Sequence, residues 1–312
     1  MPQPGQVTAV AATRRGAVLV ACAAMCWSSG ALIARLVATG PWTTNLWRSV
    51  FASAFLALAL SAVERRSIVT QCRALGAPGV AVAACMSLSS TCFILSLAHT
   101  SVANTLILMS IGPYVAGVLG WLVLGERVAV RTWIAMGMAL AGAVVMVSGS
   151  QTRAAILGDL LAVVMATSFA AATVIVRRHP EIQMAPAAVL ATALTALVAL
   201  PRADPWAASG RDLALLAFFG VGQFGLGFML FMTGARLLPA AETSLIGMLE
   251  TVLGPVWVWL VLGERPGPAA LAGGALILVA LLANTVVDLL WPRRCNGALA
   301  LGNAPERRRS RE

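Results

Sequence analysis

Lysine is absent from this chain of 312 residues, tyrosine occurs once, histidine twice, and acidic residues number only 12. With His99 and His179 alone, no His-rich metal site or His-Glu-x-x-His zinc helix can be assembled. No Gly-x-Ser-x-Gly elbow and no ATP-binding glycine loop occurs, so hydrolytic and ATP-driven chemistry have no visible apparatus. Charged residues make up 11% of the chain against 59% apolar ones. That is too little charge to cover a soluble body of this size, so the solvent must be lipid.

The six cysteines, Cys22, Cys26, Cys72, Cys85, Cys92 and Cys295, show no paired spacing and read as small buried hydrophobes rather than a disulfide framework. All 22 basic residues are arginine, and the net charge is +10. Such a charge superficially suggests nucleic acid. The arginines, however, sit in short gaps between apolar runs and in the tail Arg307, Arg308, Arg309 and Arg311. Cations in those places hold loops at an anionic membrane face, so lipids are the expected partner and nucleic acid is not.

Crossing about 30 Å of hydrocarbon takes about 20 helical residues. That ruler yields ten apolar segments, at 16–38, 43–63, 76–97, 103–124, 132–149, 158–176, 186–200, 213–235, 241–262 and 268–290. They are expected to be helices, because open strands would leave backbone groups unpaired in lipid and period-two alternation is missing. Leu19-Val20-Ala21-Cys22 mimics a lipoprotein cleavage box. The apolar stretch before it is too short for a signal peptide and the run continues to spanning length, so the first helix is expected to stay.

With the N-terminus inside, 16 arginines fall on the cytoplasmic side and five on the other, with Arg48 within a span. This bias predicts a multi-pass protein of the inner (plasma) membrane with both termini cytoplasmic.

The segment WLVLGER at 121–127 recurs letter for letter at 259–265. The same offset of 138 pairs Ala103 with Ala241 and Thr105 with Thr243, and an offset of 142 pairs Gly16 with Gly158, Trp27 with Phe169 and Arg35 with Arg177. The expected fold is therefore an all-α polytopic membrane protein of ten helices in two halves. A cytoplasmic tail (1–15) precedes a first five-helix repeat (16–149), a linker (150–157), a second five-helix repeat (158–290) and a basic cytoplasmic tail (291–312). Because five is odd, the second half must enter from the opposite side, the inverted-repeat construction of many secondary transporters.

Two five-helix halves, each with a fourth helix ending in Trp-Leu-Val-Leu-Gly-Glu-Arg, resemble the EamA family of the drug/metabolite transporter superfamily. The resemblance covers nearly the whole chain. In that family a proline usually stands thirteen residues before the glutamate, as Pro113 stands before Glu126 here. The second half has Thr251 in that place and Pro255 four residues later, which predicts a helix bend shifted by about one turn. The resemblance implies a transporter with a central cavity between the halves, often exporting amino acids, metabolites or drugs, with no cofactor and no enzymatic role.

Among intramembrane polar residues, Glu250 ranks first, because its place in the ninth span puts it near mid-membrane, where a carboxylate must face a partner, water or a proton. It is expected to bind a cationic group of the substrate or to take up a proton; the bland alternative is a structural carboxyl bonded to neighbouring helices. Glu242, in the first turn of the same helix, suits its dipole. Arg48 lies five residues into the second span, where snorkelling toward the interface is the favoured reading and anchoring a substrate carboxylate the lesser one. The glycines of Gly-Val-Gly-Gln-Phe-Gly-Leu-Gly at 220–227 permit close helix approach, leaving Gln223 to bridge helices or to line the cavity. Ser90, within the patch Ser87, Ser89, Ser90 and Thr91, and the aromatics Trp27 and Tyr114 are further candidates for the pathway, with structural roles equally open. Pro113, Pro255, Glu126 and Glu264 are candidates for bending and gating.

The main expectation is a secondary exporter of amino acids or related small metabolites working by alternating access, with proton coupling through Glu250. Alternatives are a multidrug or cationic-compound efflux carrier, a membrane-embedded enzyme, and a non-transporting scaffold. A small-molecule substrate, membrane lipids and a second copy of the chain as homodimer complete the candidate partners.

Overall fold

A computed structural model describes residues 4–100, 105, 108–126, 128–147, 156–263 and 268–290. These residues are helical with short connections, and none of them forms a strand. In a lipid solvent that is the expected solution, since a helix satisfies its own backbone. Seven helices are long and apolar enough to cross a membrane: Ala12–Ala34, Pro41–Glu64, Gly76–His99, Ile156–Arg178, Ala185–Arg202, Gly210–Ala235 and Glu242–Val261. The protein is thus a multi-pass membrane protein. The segments expected as fourth, fifth and tenth spans are helical over Gly112–Leu124, Val130–Val147 and Pro268–Leu290.

In chain order the helices are α1 (Pro4–Ser28), α2 (Gly30–Leu36), α3 (Pro41–Glu64), α4 (Ile68–Ala74), α5 (Gly76–His99), α6 (Gly112–Leu124) and α7 (Val130–Val147). The second half holds α8 (Ile156–Arg178), α9 (Ala185–Ala199), α10 (Gly210–Phe218), α11 (Leu226–Ala235), α12 (Ala240–Gly247), α13 (Leu249–Leu262) and α14 (Pro268–Leu290). Helix α1 begins at Pro4, upstream of the apolar run that starts at Gly16.

The two copies of the repeated heptapeptide end their helices alike. Gly125 and Gly263 take left-handed conformations, φ +67° and +71°, just past α6 and α13. Their amides donate to the carbonyls of Trp121 and Trp259, both at 3.0 Å. Only glycine adopts this conformation without a Cβ penalty, so the shared glycine is a shared stop signal.

Helix pairing follows one two-fold scheme. The most extensive contacts join α5 to α8, α7 to α14, α3 to α9 and α1 to α11, followed by α5 to α9, α6 to α8, α3 to the segment Phe219–Gly225, α1 to α13 and α6 to α12. Exchanging the first half for the second maps each pairing onto another of the set or onto itself. Leu58, Leu122, Leu160, Leu197 and Leu260 are exposed on the outside, as a lipid-facing surface requires.

The expected displacement of the bend in the second half does not occur. Paired tight turns interrupt both fourth helices: Ile111 and Tyr114 donate to carbonyls three residues back, and so do Met248 and Thr251. Under the offset of 138 these turns fall at nearly the same place, and Pro255 lies inside α13, beyond the break. The turn at Gly247–Met248, rather than the proline, interrupts the ladder there.

The eighth apolar segment is not one uniform helix either. Phe219–Gly225 is wound as a π-helix between α10 and α11, a widening frequent at functional sites. Its glycines allow close approach, for a Cβ on Gly220 would run into the backbone carbonyl of Arg48.

Candidate functional site

A cavity of about 820 Å³, counted to its open mouth, lies where the two halves meet. Trp27, Arg48, Ser89, Ser90, Phe93 and the stretch Gly112–Pro113 line it from the first half. Met165, Phe169, Gln223, Phe224, Phe228 and Glu250 are among the residues that line it from the second. Of the sequence-derived candidates, Glu250, Gln223, Trp27, Ser90, Arg48 and Pro113 share this one wall. Tyr114 is not part of it; its ring lies against Trp133 with centroids 5.9 Å apart. Pro255 belongs to α13, and Glu264 lies outside the described residues.

The position of Arg48 corrects the snorkelling reading. Its side chain is 1% exposed, and Nη2 donates to Asn45 Oδ1 at 2.8 Å and to Ser90 Oγ at 2.5 Å. The guanidinium lies over the rings of Phe224 and Phe219, at 4.2 and 5.2 Å from their centroids. Snorkelling frees a cation from hydrocarbon; here polar oxygens and aromatic faces supply a local substitute for water, and the side chain stays inside. Asn45 Nδ2 in turn donates to Thr91 Oγ1 at 3.4 Å. Asn45 is marked in the sequence only by its spacing, a polar residue three positions before an intramembrane arginine and on the same helix face.

Glu250 sits in the first turn of α13, directly after the break. The break matters electrostatically, because the N-terminus of a half-helix carries partial positive charge and favours a carboxylate there. No hydrogen bond or ion pair to Glu250 occurs among the described residues. Gln223, in the π-helical turn, donates from Nε2 to the backbone carbonyl of Trp27 at 3.0 Å, tying the eighth apolar segment to the first, and also faces the cavity.

Buried polar atoms without a partner gather around this cavity. Trp27 Nε1, Arg48 Nε, Gln223 Oε1 and Ser244 Oγ all lack one among the described residues, and all four residues line it. Orphaned buried groups are costly unless something occupies the space beside them. The remaining wall is aromatic and methionine-rich, and it was invisible in the sequence because cavity-facing and lipid-facing Phe or Met look alike there.

At one end of the molecule, Glu126 pairs with Arg177 across the two halves, Oε1 to Nε at 3.0 Å. Arg177 Nη1 also donates to the carbonyl of Arg236 at 2.9 Å, and Arg236 donates to that of Pro180. The opposite end is joined by Ala38 to Asp212, Thr43 to Asp204 and Thr100 to Asp159.

The sequence matches the EamA-like transporter family twice, over residues 14–148 and 153–286. It is 27% identical over 207 residues to the uncharacterized transporter YwfM of Bacillus subtilis (strain 168), an alignment covering 64% of this chain and 70% of that protein. One similar solved structure, described only as the crystal structure of a protein, superposes with a TM-score of 0.73 at 19% identity, covering 88% of this chain and 98% of the other. That likeness concerns the fold.

Proposed function

The chain belongs to the EamA-like transporter family, and on that premise we propose that it is a secondary active carrier exporting amino acids or related small amphipathic metabolites by alternating access. The observation that carries this reading is the cavity between the halves, greasy along most of its wall and holding Glu250, which has no hydrogen-bond or ion-pair partner among the described residues. A membrane-embedded carboxylate in such a place binds a cationic group or carries a proton.

In this proposal ten helices form two inverted five-helix repeats, 16–149 and 158–290, joined by 150–157. The two-fold pairing scheme supports it, because a two-fold relation between halves with an odd number of crossings inverts one against the other. Arg65, Arg66, Arg73, Arg177, Arg178 and Arg236 all follow or end helices that run to the end of the Glu126–Arg177 pair. That distribution supports a cytoplasmic assignment for this end and for both termini, in an inner membrane. The pair would help close the cytoplasmic side, and Glu250 would couple substrate movement to a proton.

Glu250 also favours a second reading, efflux of cationic compounds. Counterflow in proteoliposomes tests both, with labelled amino acids in one arm and labelled tetraphenylphosphonium in the other. Exchange of amino acids supports the first reading and exchange of the cation alone the second. An altered chemical product would indicate an enzyme, and absence of movement in every arm would remove the carrier assignment.

A further inference from the structure

We propose that Arg48 is the carboxylate receptor of the cavity, so that the cargo combines a carboxylate with an apolar body. This rests on the carrier reading above and narrows it.

Arg48 is 1% exposed within a membrane-crossing helix, a place where an unpaired charge is expensive. No carboxylate pairs with it among the described residues. The neutral oxygens of Asn45 and Ser90 both bind Nη2. Nε is buried and has no acceptor among the described residues, although a guanidinium has donors on all three nitrogens. A purely structural arginine in this position would be expected to find an acceptor for each.

The surroundings hold the group ready rather than neutralise it. Asn45 is fixed by Thr91, Ser90 comes from the neighbouring helix α5, and Phe224 lies beneath the guanidinium plane. These contacts orient the cation while leaving its charge for an incoming anion, and the orientation cost is met before binding. The rest of the wall selects the anion's body. Trp27, Phe93, Phe169 and Phe228 offer apolar surface, which suits a small organic carboxylate and offers a doubly charged inorganic anion little. Glu250 on the same wall adds a place for an ammonium group. A compound bearing only positive charge would meet Arg48 as a like charge, which is repulsive in a desolvated site.

The test uses matched pairs that share a body and differ in charge: 4-methylvalerate with isoamylamine, and 3-phenylpropionate with phenethylamine. Thermal stabilisation of the purified full-length protein in detergent reads binding, and competition against leucine or phenylalanine counterflow in proteoliposomes reads transport. The wild type is expected to be stabilised by the acids and not by the amines. Arg48→Gln is expected to weaken acid binding on the order of tenfold or more, and Arg48→Lys less. Ser90→Ala, a smaller perturbation, keeps the test available should Arg48→Gln misfold, and is expected to weaken acid binding several-fold. Equal stabilisation by acids and amines, or acid binding unchanged in folded Arg48→Gln or in Ser90→Ala, overturns the proposal. Acid binding without counterflow supports the receptor and removes the carrier reading, whereas counterflow of amines alone keeps a carrier and removes the receptor.

Discussion

Trp27 and Phe169, which occupy equivalent places in the two repeats, meet edge to face with ring centroids 5.7 Å apart. Both line the cavity, and Phe228 and Phe231 extend the cluster, their centroids 5.7 and 5.2 Å from that of Trp27. The two halves therefore touch through their equivalent first helices, with aromatic geometry that adds to area burial.

Trp27→Ala should consequently destabilise the protein by about 3 to 5 kcal/mol, the usual cost of truncating a packed aromatic. Trp27→Phe should restore most of the loss. Thermal unfolding in detergent measures both, and an alanine variant that melts with the wild type would show that the ring contacts carry little.

The link between Glu126 and Arg177 is about 30% exposed on both sides, and such pairs contribute roughly 1 kcal/mol or less. Glu126→Gln should leave membrane insertion and melting nearly unchanged. Because the pair spans the halves, the same free energy can shift a two-state equilibrium about fivefold. A several-fold change in counterflow rate is expected, and likewise for Glu264→Gln at the equivalent place in the repeated heptapeptide. Unchanged rates in both variants would argue against gating.

Glu250→Gln should abolish the pH dependence of transport in proteoliposomes, and whatever counterflow remains should be independent of pH, since exchange of substrate for substrate needs no net proton movement. The glutamine keeps the shape and removes the titration. Full retention of the pH dependence would exclude Glu250 from coupling.

Gly220→Ala should cost about 1 to 3 kcal/mol through overpacking, because its Cβ would meet the carbonyl of Arg48 and lie 2.9 Å from Phe51 Cβ. Gly222→Ala is the comparison, with only ordinary contacts at 3.5 Å or more. Melting temperatures that fall equally in the two variants would contradict the close approach of the π-helical turn to α3.

An accessibility tag placed between residues 150 and 157 should be reached from the side opposite both termini. Labelling from the same side would leave the first half with an even number of crossings and dissolve the inverted arrangement.

Much of the fold is legible locally. The lipid solvent follows from the scarcity of charge, the helices follow from that solvent, and the stops at Gly125 and Gly263 follow from a glycine conformation the repeated heptapeptide carries with it. The site was legible only in part. Glu250, Gln223 and Arg48 stand out because polar groups are costly in hydrocarbon, whereas Phe93, Met165 and Phe228 carry no such mark. The bend in the second half was misplaced because proline is a strong but not exclusive breaker; a glycine-methionine turn interrupted the helix first.

The sequence by itself determined that this chain lives in a membrane, is helical and is built twice over, because hydropathy, backbone satisfaction and repetition are properties of short segments. Only the tertiary structure decided that Arg48 finds Ser90, 42 positions away, that Trp27 faces Phe169, and that Glu250 opens onto the same cavity as Arg48. Those relationships depend on which apolar faces pack together, and in lipid an apolar face gives no advance sign of whether it will meet a helix, a cavity or the bilayer.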